Sequence, residues 1–205
     1  MNWITIVLML LGGYLLGSIP SAVWIGKIFY GVDVRTQGSG NAGTTNVLRV
    51  LGAKAALPVF IIDGLKGYLA VALVAWSGLE AESPEWLYLK MALCLTAVVG
   101  HMFPIFFKFK GGKGVATSGM VILMISPVAC VVCLTVFLIV VIGTRYVSLG
   151  SVMGLSLYPI ILNAWSHAYD PPRNATACMI SVVMAIIVVF MHRENLKRLL
   201  SGTER

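Results

Sequence analysis

The sequence predicts an all-α integral membrane protein of about seven transmembrane helices, with its N-terminus outside and its C-terminus in the cytoplasm. Of 205 residues, 59% are hydrophobic and only 11% charged, and the mean hydropathy of +0.91 is foreign to a soluble domain of this size. The apolar residues fall in continuous runs near the length of a hydrocarbon core, where only helices or closed barrels satisfy their own backbone. Those runs do not alternate in polarity, so helices are expected and barrel strands are not. The basic residues cluster between the runs, as in the inner loops of a polytopic protein.

The first apolar run covers 3–26 and opens with Met1-Asn2-Trp3, which lacks the positive charge of a signal peptide. It reads as an uncleaved span. The next runs cover 57–78 and 87–107. Within the former, Asp63 and Lys66 lie at i, i+3, where an unpaired charge costs about 2.5–3.5 kcal/mol, so the two are expected to pair or to line a polar pocket. The region 115–143 admits two readings. As one helix it has 29 residues and needs tilt. As two, 115–126 and 128–143, it breaks at Ser126-Pro127, and the first piece rises only about 18 Å. Runs at 147–164 and 175–191 complete the set, and residues 1–205 read as a single membrane-embedded domain without an internal repeat.

Charge placement favours seven spans. With the N-terminus outside, the inner side receives Lys27, Arg35, Arg49, Lys54, Lys108, Lys110, Lys113, Arg145, Arg193, Lys197, Arg198 and Arg205, twelve of the fifteen basic residues. The outer side receives Glu80, Glu82, Glu85, Asp170 and Arg173, with Lys90 at its edge. Merging 115–143 into one span sends Arg145 and the basic tail outside, against the positive-inside rule. The net charge of +7, from 15 basic and 8 acidic residues, therefore points to anionic headgroups or phosphorylated substrates. No folded basic face of the kind nucleic acid requires is visible.

Cys94, Cys130, Cys133 and Cys178 all sit inside apolar runs and read as reduced, buried thiols. Asn174-Ala175-Thr176 matches a glycosylation sequon only formally. No His, Cys, Asp and Glu spacing suggests a metal site, and neither metal nor cofactor is expected.

Three polar segments, 35–54, 108–117 and 192–205, reach the same membrane face in this topology. The first contains Gly38-Ser39-Gly40-Asn41-Ala42-Gly43-Thr44-Thr45-Asn46 and then Arg49, a guanidinium able to clamp phosphate bidentately. The second runs from Gly100-His101-Met102-Phe103-Pro104 through Phe107-Lys108-Phe109-Lys110-Gly111-Gly112-Lys113-Gly114-Val115-Ala116-Thr117, and from Phe107 on it puts three lysines and three glycines between apolar runs. Glycine lets backbone N–H groups converge on an oxyanion, lysine adds charge, and a helix starting near Gly114 adds its dipole. It is not a Walker loop, since the spacing and the preceding strand are missing. Lys113, flanked by glycines, is the better ligand, while Lys108 and Lys110 read equally well as topogenic charges. His101 is as readily a packing residue as a site residue. In the third segment, His192 and Asn195 share a face at i, i+3 if helix continues past the last span.

Together these segments resemble the motifs of the bacterial acyl-phosphate:glycerol-3-phosphate acyltransferases of PlsY type. Gly38–Lys54 resembles the first motif, Gly100–Thr117 the second and His192–Glu204 the third. The departures are Ala56, where a glycine is expected, and Leu196, where isoleucine is usual; both bear on packing. The resemblance implies a multi-span enzyme of the bacterial inner membrane that makes lysophosphatidic acid at its cytoplasmic face. It implies that Ser39, Arg49, Lys113, His192 and Asn195 hold glycerol 3-phosphate. Asn46, Gly111, Gly112, Lys113, Gly114 and Thr117 would hold acyl phosphate, and Ser39, Arg49, Lys113 and His192 would carry the catalysis. Further implied partners are membrane lipid and a soluble acyltransferase that supplies acyl phosphate.

An acyl phosphate is already activated, so positioning and charge neutralisation suffice and no acyl-enzyme is needed. The His-x4-Asp pair of acyl-thioester glycerophosphate acyltransferases is absent after His101, His167 and His192. Either His192 or the leaving phosphate accepts the proton. The competing reading is an organic-phosphate transporter that uses the same anion loops without chemistry. Against it, the polar segments gather on one side, whereas a transporter needs access from both.

Overall fold

The computed structural model describes residues 2–169 and 174–204, with side chains except at 165–169 and 174–177. Asp170, Arg173 and Arg205 lie outside the described residues, as do the side chains of His167 and of the Asn174-Ala175-Thr176 sequon. The described residues are mostly helical, and the helices are α1 (Trp3–Gly17), α2 (Ser21–Tyr30), α3 (Thr44–Leu51), α4 (Ala53–Ala72), α5 (Pro84–Met102), α6 (Val115–Ile125), α7 (Pro127–Thr144), α8 (Val147–Tyr169), α9 (Asn174–Met191) and α10 (Arg193–Leu200). Short 3₁₀ turns at Val34–Thr36, Leu73–Trp76 and Ile105–Phe107 link some of them.

Among the described residues five helical segments are long and apolar enough to cross a membrane: Trp3–Tyr30, Ala53–Trp76, Pro84–Phe107, Pro127–Thr144 and Val147–Ala164. The pair Cys178–Met191 and Arg193–Leu200 passes the same test only when its two bent pieces are counted as one span, and Val115–Ile125 is shorter. The region 115–143 is two helices. Ser126 leaves helical geometry (φ −146°, ψ 98°), its hydroxyl accepts from the Ala129 N–H, and Pro127 takes the first position of α7, where its missing N–H costs nothing.

The span expected at 3–26 falls within the crossing segment Trp3–Tyr30, which is built of two helices. α1 stops at Gly17 and α2 starts at Ser21, because Pro20 cannot donate to the preceding turn. The break frees the Ile19 carbonyl for a side chain far away in sequence.

By contacts the chain divides into two compact units, one up to Val121 and one from Ile122. In the first, α1 crosses α5 at small residues. A Cβ on Gly17 would land on the backbone of Ala97, and one on Gly100 on the Tyr14 carbonyl, so the two backbones touch through glycine. Backbone cannot swing aside as a side-chain tip can. Gly17→Ala is therefore expected to lower the thermal midpoint of the detergent-solubilised protein, by the equivalent of about 1–3 kcal/mol. An unchanged midpoint would remove the contact from this account. Beside that crossing, Ala22, Val23, Val34, Val47, Ala55 and Val59 form a core that ties α2, α3 and α4 to the loop between α2 and α3.

In the second unit, α8 lays Gly150 and Gly154 against α7, where added Cβ atoms would stand 2.9 Å from the Phe137 and Cys133 carbonyls respectively. Ile122, Ala129, Cys133, Tyr158 and Leu162 fill the space between. All four cysteines are free thiols, with Cys94 and Cys133 buried, as expected for small hydrophobes in apolar helices.

Candidate active site

The loop from Val32 to Gly43 is shaped by charge and by one amide. Asp33 receives Arg35 through two hydrogen bonds, Nε at 3.0 Å and Nη2 at 2.7 Å, and Lys27 at 3.2 Å. The Arg35 guanidinium holds the Asp33 carboxyl well below the usual carboxylate range, against the opposing effect of burial. The same guanidinium stacks over the Phe107 ring at 4.9 Å, joining the first polar loop to the second.

Asn46, on the first turns of α3, is buried, and its amide braces this loop. Its Oδ1 accepts from the Ser39 N–H at 2.8 Å, while Nδ2 donates to the carbonyls of Val34 at 2.7 Å and Gln37 at 3.2 Å. Gly38 sits at φ +60° where a Cβ would meet that amide oxygen. The resemblance places Asn46 on acyl phosphate; in the structure its side chain is occupied in presenting Ser39. Ser39 itself is exposed, and so is Arg49, one turn beyond Asn46 on the same helix.

The second loop folds back on the end of α5. Tyr14 Oη caps the Phe103 carbonyl at 2.7 Å, and Lys108 and Phe109 both adopt left-handed backbone. The chain then returns so that the Gly111 N–H donates to the Met102 carbonyl (3.1 Å) and the Gly112 N–H to the His101 carbonyl (3.2 Å). Added Cβ atoms would collide with the His101 carbonyl and Pro104 at Gly111, and with the His101 ring at Gly112. These two glycines thus serve close approach, and their N–H groups are bonded to the end of α5.

Gly114 turns at φ +78° and α6 begins at Val115, with the first i→i−4 bond running from the Ser118 N–H to the Gly114 carbonyl. The N–H groups of the first turn therefore have no acceptor within their own helix. Lys113 precedes this turn, half-buried, so a cation and a helix N-terminus meet at one point. The Thr117 hydroxyl is directed inward, donating to the Asp63 carbonyl at 2.9 Å. That differs from the acyl-phosphate contact implied by resemblance.

Below the loop the expected pair forms. Lys66 Nζ lies 2.8 Å from Asp63 Oδ1, with both side chains 3% exposed or less. Lys66 also donates to the Ile19 carbonyl freed by the helix break (2.8 Å), and the Ser21 hydroxyl donates to Asp63 at 2.6 Å. A small cleft runs past these groups, lined by Ile19, Ser21, Lys66, His101, Lys110 and Gly112 among others.

The second unit carries the third motif. α9 and α10 meet at a 56° bend at His192, so the helix does not run on straight as His192 and Asn195 on one face supposes. His192 is 2% exposed, and its Nδ1 lies 2.8 Å from the Val188 carbonyl. A carbonyl only accepts, so Nδ1 carries the proton and Nε2 keeps its lone pair in the neutral ring. Asn195 Nδ2 donates to Glu204, which also accepts from Ser148 Oγ (2.7 Å) and Arg198 Nε (2.8 Å).

Glu204 has no assigned role in the sequence reading. Its signal was an acidic residue closing a basic tail, at a separation of nine from Asn195 that no helical period explains. Burial pushes the Glu204 carboxyl up, but hydrogen bonds from Asn195, Ser148 and Arg198 outweigh it and leave it below its ordinary value. A depressed folded pKa adds stability that is present above the unfolded value and lost as pH falls through the folded one. Glu204→Gln is thus expected to lower the thermal midpoint at neutral pH, with the gap to the parent closing on acidification below the carboxylate range. A gap that persists in acid would show that charge is not what this contact uses.

The family model for glycerol-3-phosphate acyltransferase matches residues 7–202. The chain belongs to this family. Among its relatives, the glycerol-3-phosphate acyltransferase of Enterococcus faecalis (strain ATCC 700802 / V583) is 44% identical over 97% of this chain and 90% of its own. That of Clostridioides difficile (strain 630) is 42% identical over 94% and 90%. Two crystal structures of PlsY, described as an integral membrane glycerol 3-phosphate acyltransferase, are also similar. Its glycerol 3-phosphate form superposes with a TM-score of 0.87 and its lysophosphatidic acid form with 0.84, each 34% identical and covering 98% of this chain and 94% of the other. The all-helical membrane fold of this family member is the PlsY fold.

Proposed function

We propose that this chain is a membrane acyltransferase of phospholipid biosynthesis. It transfers a fatty acyl group from acyl phosphate to the primary hydroxyl of glycerol 3-phosphate, giving 1-acylglycerol 3-phosphate and phosphate. The observation that carries this reading is Lys113 at the mouth of α6, between Gly112 and the turn at Gly114, in a chain related to glycerol-3-phosphate acyltransferases. The hydroxyl oxygen attacks the acyl carbon, the C–O bond of the ester forms, and the C–O bond to phosphate breaks with its electron pair leaving on phosphate. Charge grows on that leaving group, and Lys113 with the first-turn N–H groups of α6 stabilises it. Gly111, Gly112 and Gly114 shape the turn that brings those donors to the acyl phosphate, while Asn46 and Thr117 hold the flanking backbone.

Ser39 and Arg49 bind glycerol 3-phosphate, as do His192 and Asn195, with Lys113 shared between the two phosphates. Leaving phosphate is basic enough to take the hydroxyl proton, so the reaction needs no protein base, and His192 Nε2 serves to orient the acceptor. The acyl chain lies among apolar helices, which accounts for a small reaction on a membrane scaffold. Residues 1–205 act as one domain in the bacterial inner membrane, with the site on the cytoplasmic side. A soluble enzyme that makes acyl phosphate supplies the donor.

Purified protein, assayed with radiolabelled glycerol 3-phosphate and either acyl phosphate or acyl thioesters, tests the proposal. Incorporation into lipid from acyl phosphate alone is expected. Label taken up by proteoliposomes without incorporation would replace the enzyme with a transporter. His192→Ala turnover collapsing at saturating substrate, with the fold intact, would make the histidine the base instead.

A further inference from the structure

We propose that His101 is a positioning residue of this reaction, a post that holds the Lys113 segment at both its ends. The inference rests on the acyltransfer reading above. On the near side of Lys113, the His101 carbonyl accepts the Gly112 N–H at 3.2 Å, and the His101 ring edge at Nε2 occupies the space where a Gly112 Cβ would be. On the far side, His101 Nδ1 lies 3.2 Å from the Thr117 hydroxyl. Thr117 has one hydroxyl proton, directed at the Asp63 carbonyl at 2.9 Å, so its oxygen receives the Nδ1 proton. Asp63 Oδ1, 3.5 Å from the same nitrogen, is an acceptor and requires the same tautomer. One residue on α5 therefore fixes Gly112 and Thr117, and Lys113 with the first turn of α6 is strung between them.

A packing histidine does not account for the surroundings. His101 is 5% exposed, Thr117 and Asp63 1% or less, and Asp63 Oδ2 is buried without a hydrogen-bond partner. Replacing such a buried ionic cluster by apolar residues is often neutral or stabilising, so stability alone is a poor reason for its presence. Rigid placement of a catalytic loop is a better one, because small displacements of a positioned group cost rate steeply.

The test compares His101→Leu, His101→Asn and Thr117→Val, each assayed with acyl phosphate and glycerol 3-phosphate. The asparagine Nδ2 replaces the donor at Nδ1, whereas leucine and valine delete one partner each. His101→Leu is expected to lower kcat about 10²-fold, with KM for glycerol 3-phosphate little changed. His101→Asn recovers most of the loss. The double variant His101→Leu/Thr117→Val is no worse than His101→Leu, as for two halves of one contact. Full activity in His101→Leu, or His101→Asn as impaired as His101→Leu, overturns the proposal. If the leucine variant does not fold, Thr117→Val carries the test, and an unchanged kcat there overturns it equally. Hydrogen exchange across 111–118 gives a readout without turnover: faster exchange in the folded variants supports the post and unchanged exchange sinks it. A parent protein that shows no acyl transfer refutes the functional reading instead, and leaves the exchange result to decide the anchoring.

Discussion

Lys113→Ala lowers kcat/KM for acyl transfer by about 10²–10³-fold, the usual loss when one donor to a developing oxyanion is removed. The lysine stands where the flanking glycines let the chain pass closest to the end of α5 and where α6 starts. The residue thus stands just before a helix start whose first N–H groups no carbonyl of that helix accepts. If it bridges the phosphates of donor and acceptor, both substrates bind more weakly in the variant as well as reacting more slowly. Arginine is not an equivalent replacement, because a planar fork cannot occupy the volume of a compact point charge between two glycine turns. Steady-state rates over a grid of both substrate concentrations provide the check. An alanine enzyme within threefold of the parent removes the phosphate cradle from the mechanism.

The second large effect comes from a single methyl group. Gly112→Ala places a Cβ against the His101 ring and 3.0 Å from the Ala42 carbonyl, while the Gly112 N–H is bonded to the His101 carbonyl. The histidine ring cannot turn away without releasing Thr117. The loop must move instead, and a shift near 1 Å costs about 10²-fold in rate. KM for acyl phosphate is expected to rise with it, since the donors at the start of α6 shift too. Gly143→Ala is the control: nothing lies within 4 Å of its Cβ position in α7, so it keeps parental kinetics and gains slightly in helix propensity. Equal kinetics for the two variants would mean that close approach at Gly112 has no part in catalysis.

Much of this was legible in the chain itself. Continuous apolar runs announced helices, because lipid leaves no other partner for the backbone. Ser126-Pro127 marked where 115–143 would break, and the placement of basic residues favoured that reading over a single helix. The i, i+3 spacing of Asp63 and Lys66 announced their pairing, as one helix turn brings them together. What the sequence did not show is which of the polar groups in the loops also fasten the protein's own backbone. Gly111 and Gly112 looked like oxyanion donors, and their N–H groups are bonded to the end of α5; Asn46 and Thr117 looked like ligands, and each also fastens a loop. The break at Pro20 was passed over because apolar residues continue on both sides of it.

The sequence by itself determined the helices and their solvent, both of which depend on residues near in sequence. The tertiary structure decided which donors remain for a ligand and which are already taken. Thr117 bonds to Asp63 across 54 positions, Lys66 to Ile19 across 47 and Asn195 to Glu204 across nine. No local period encodes such pairings, because they arise only when packing brings distant backbone carbonyls and carboxylates within 3 Å or so of a buried hydrogen that must find an acceptor.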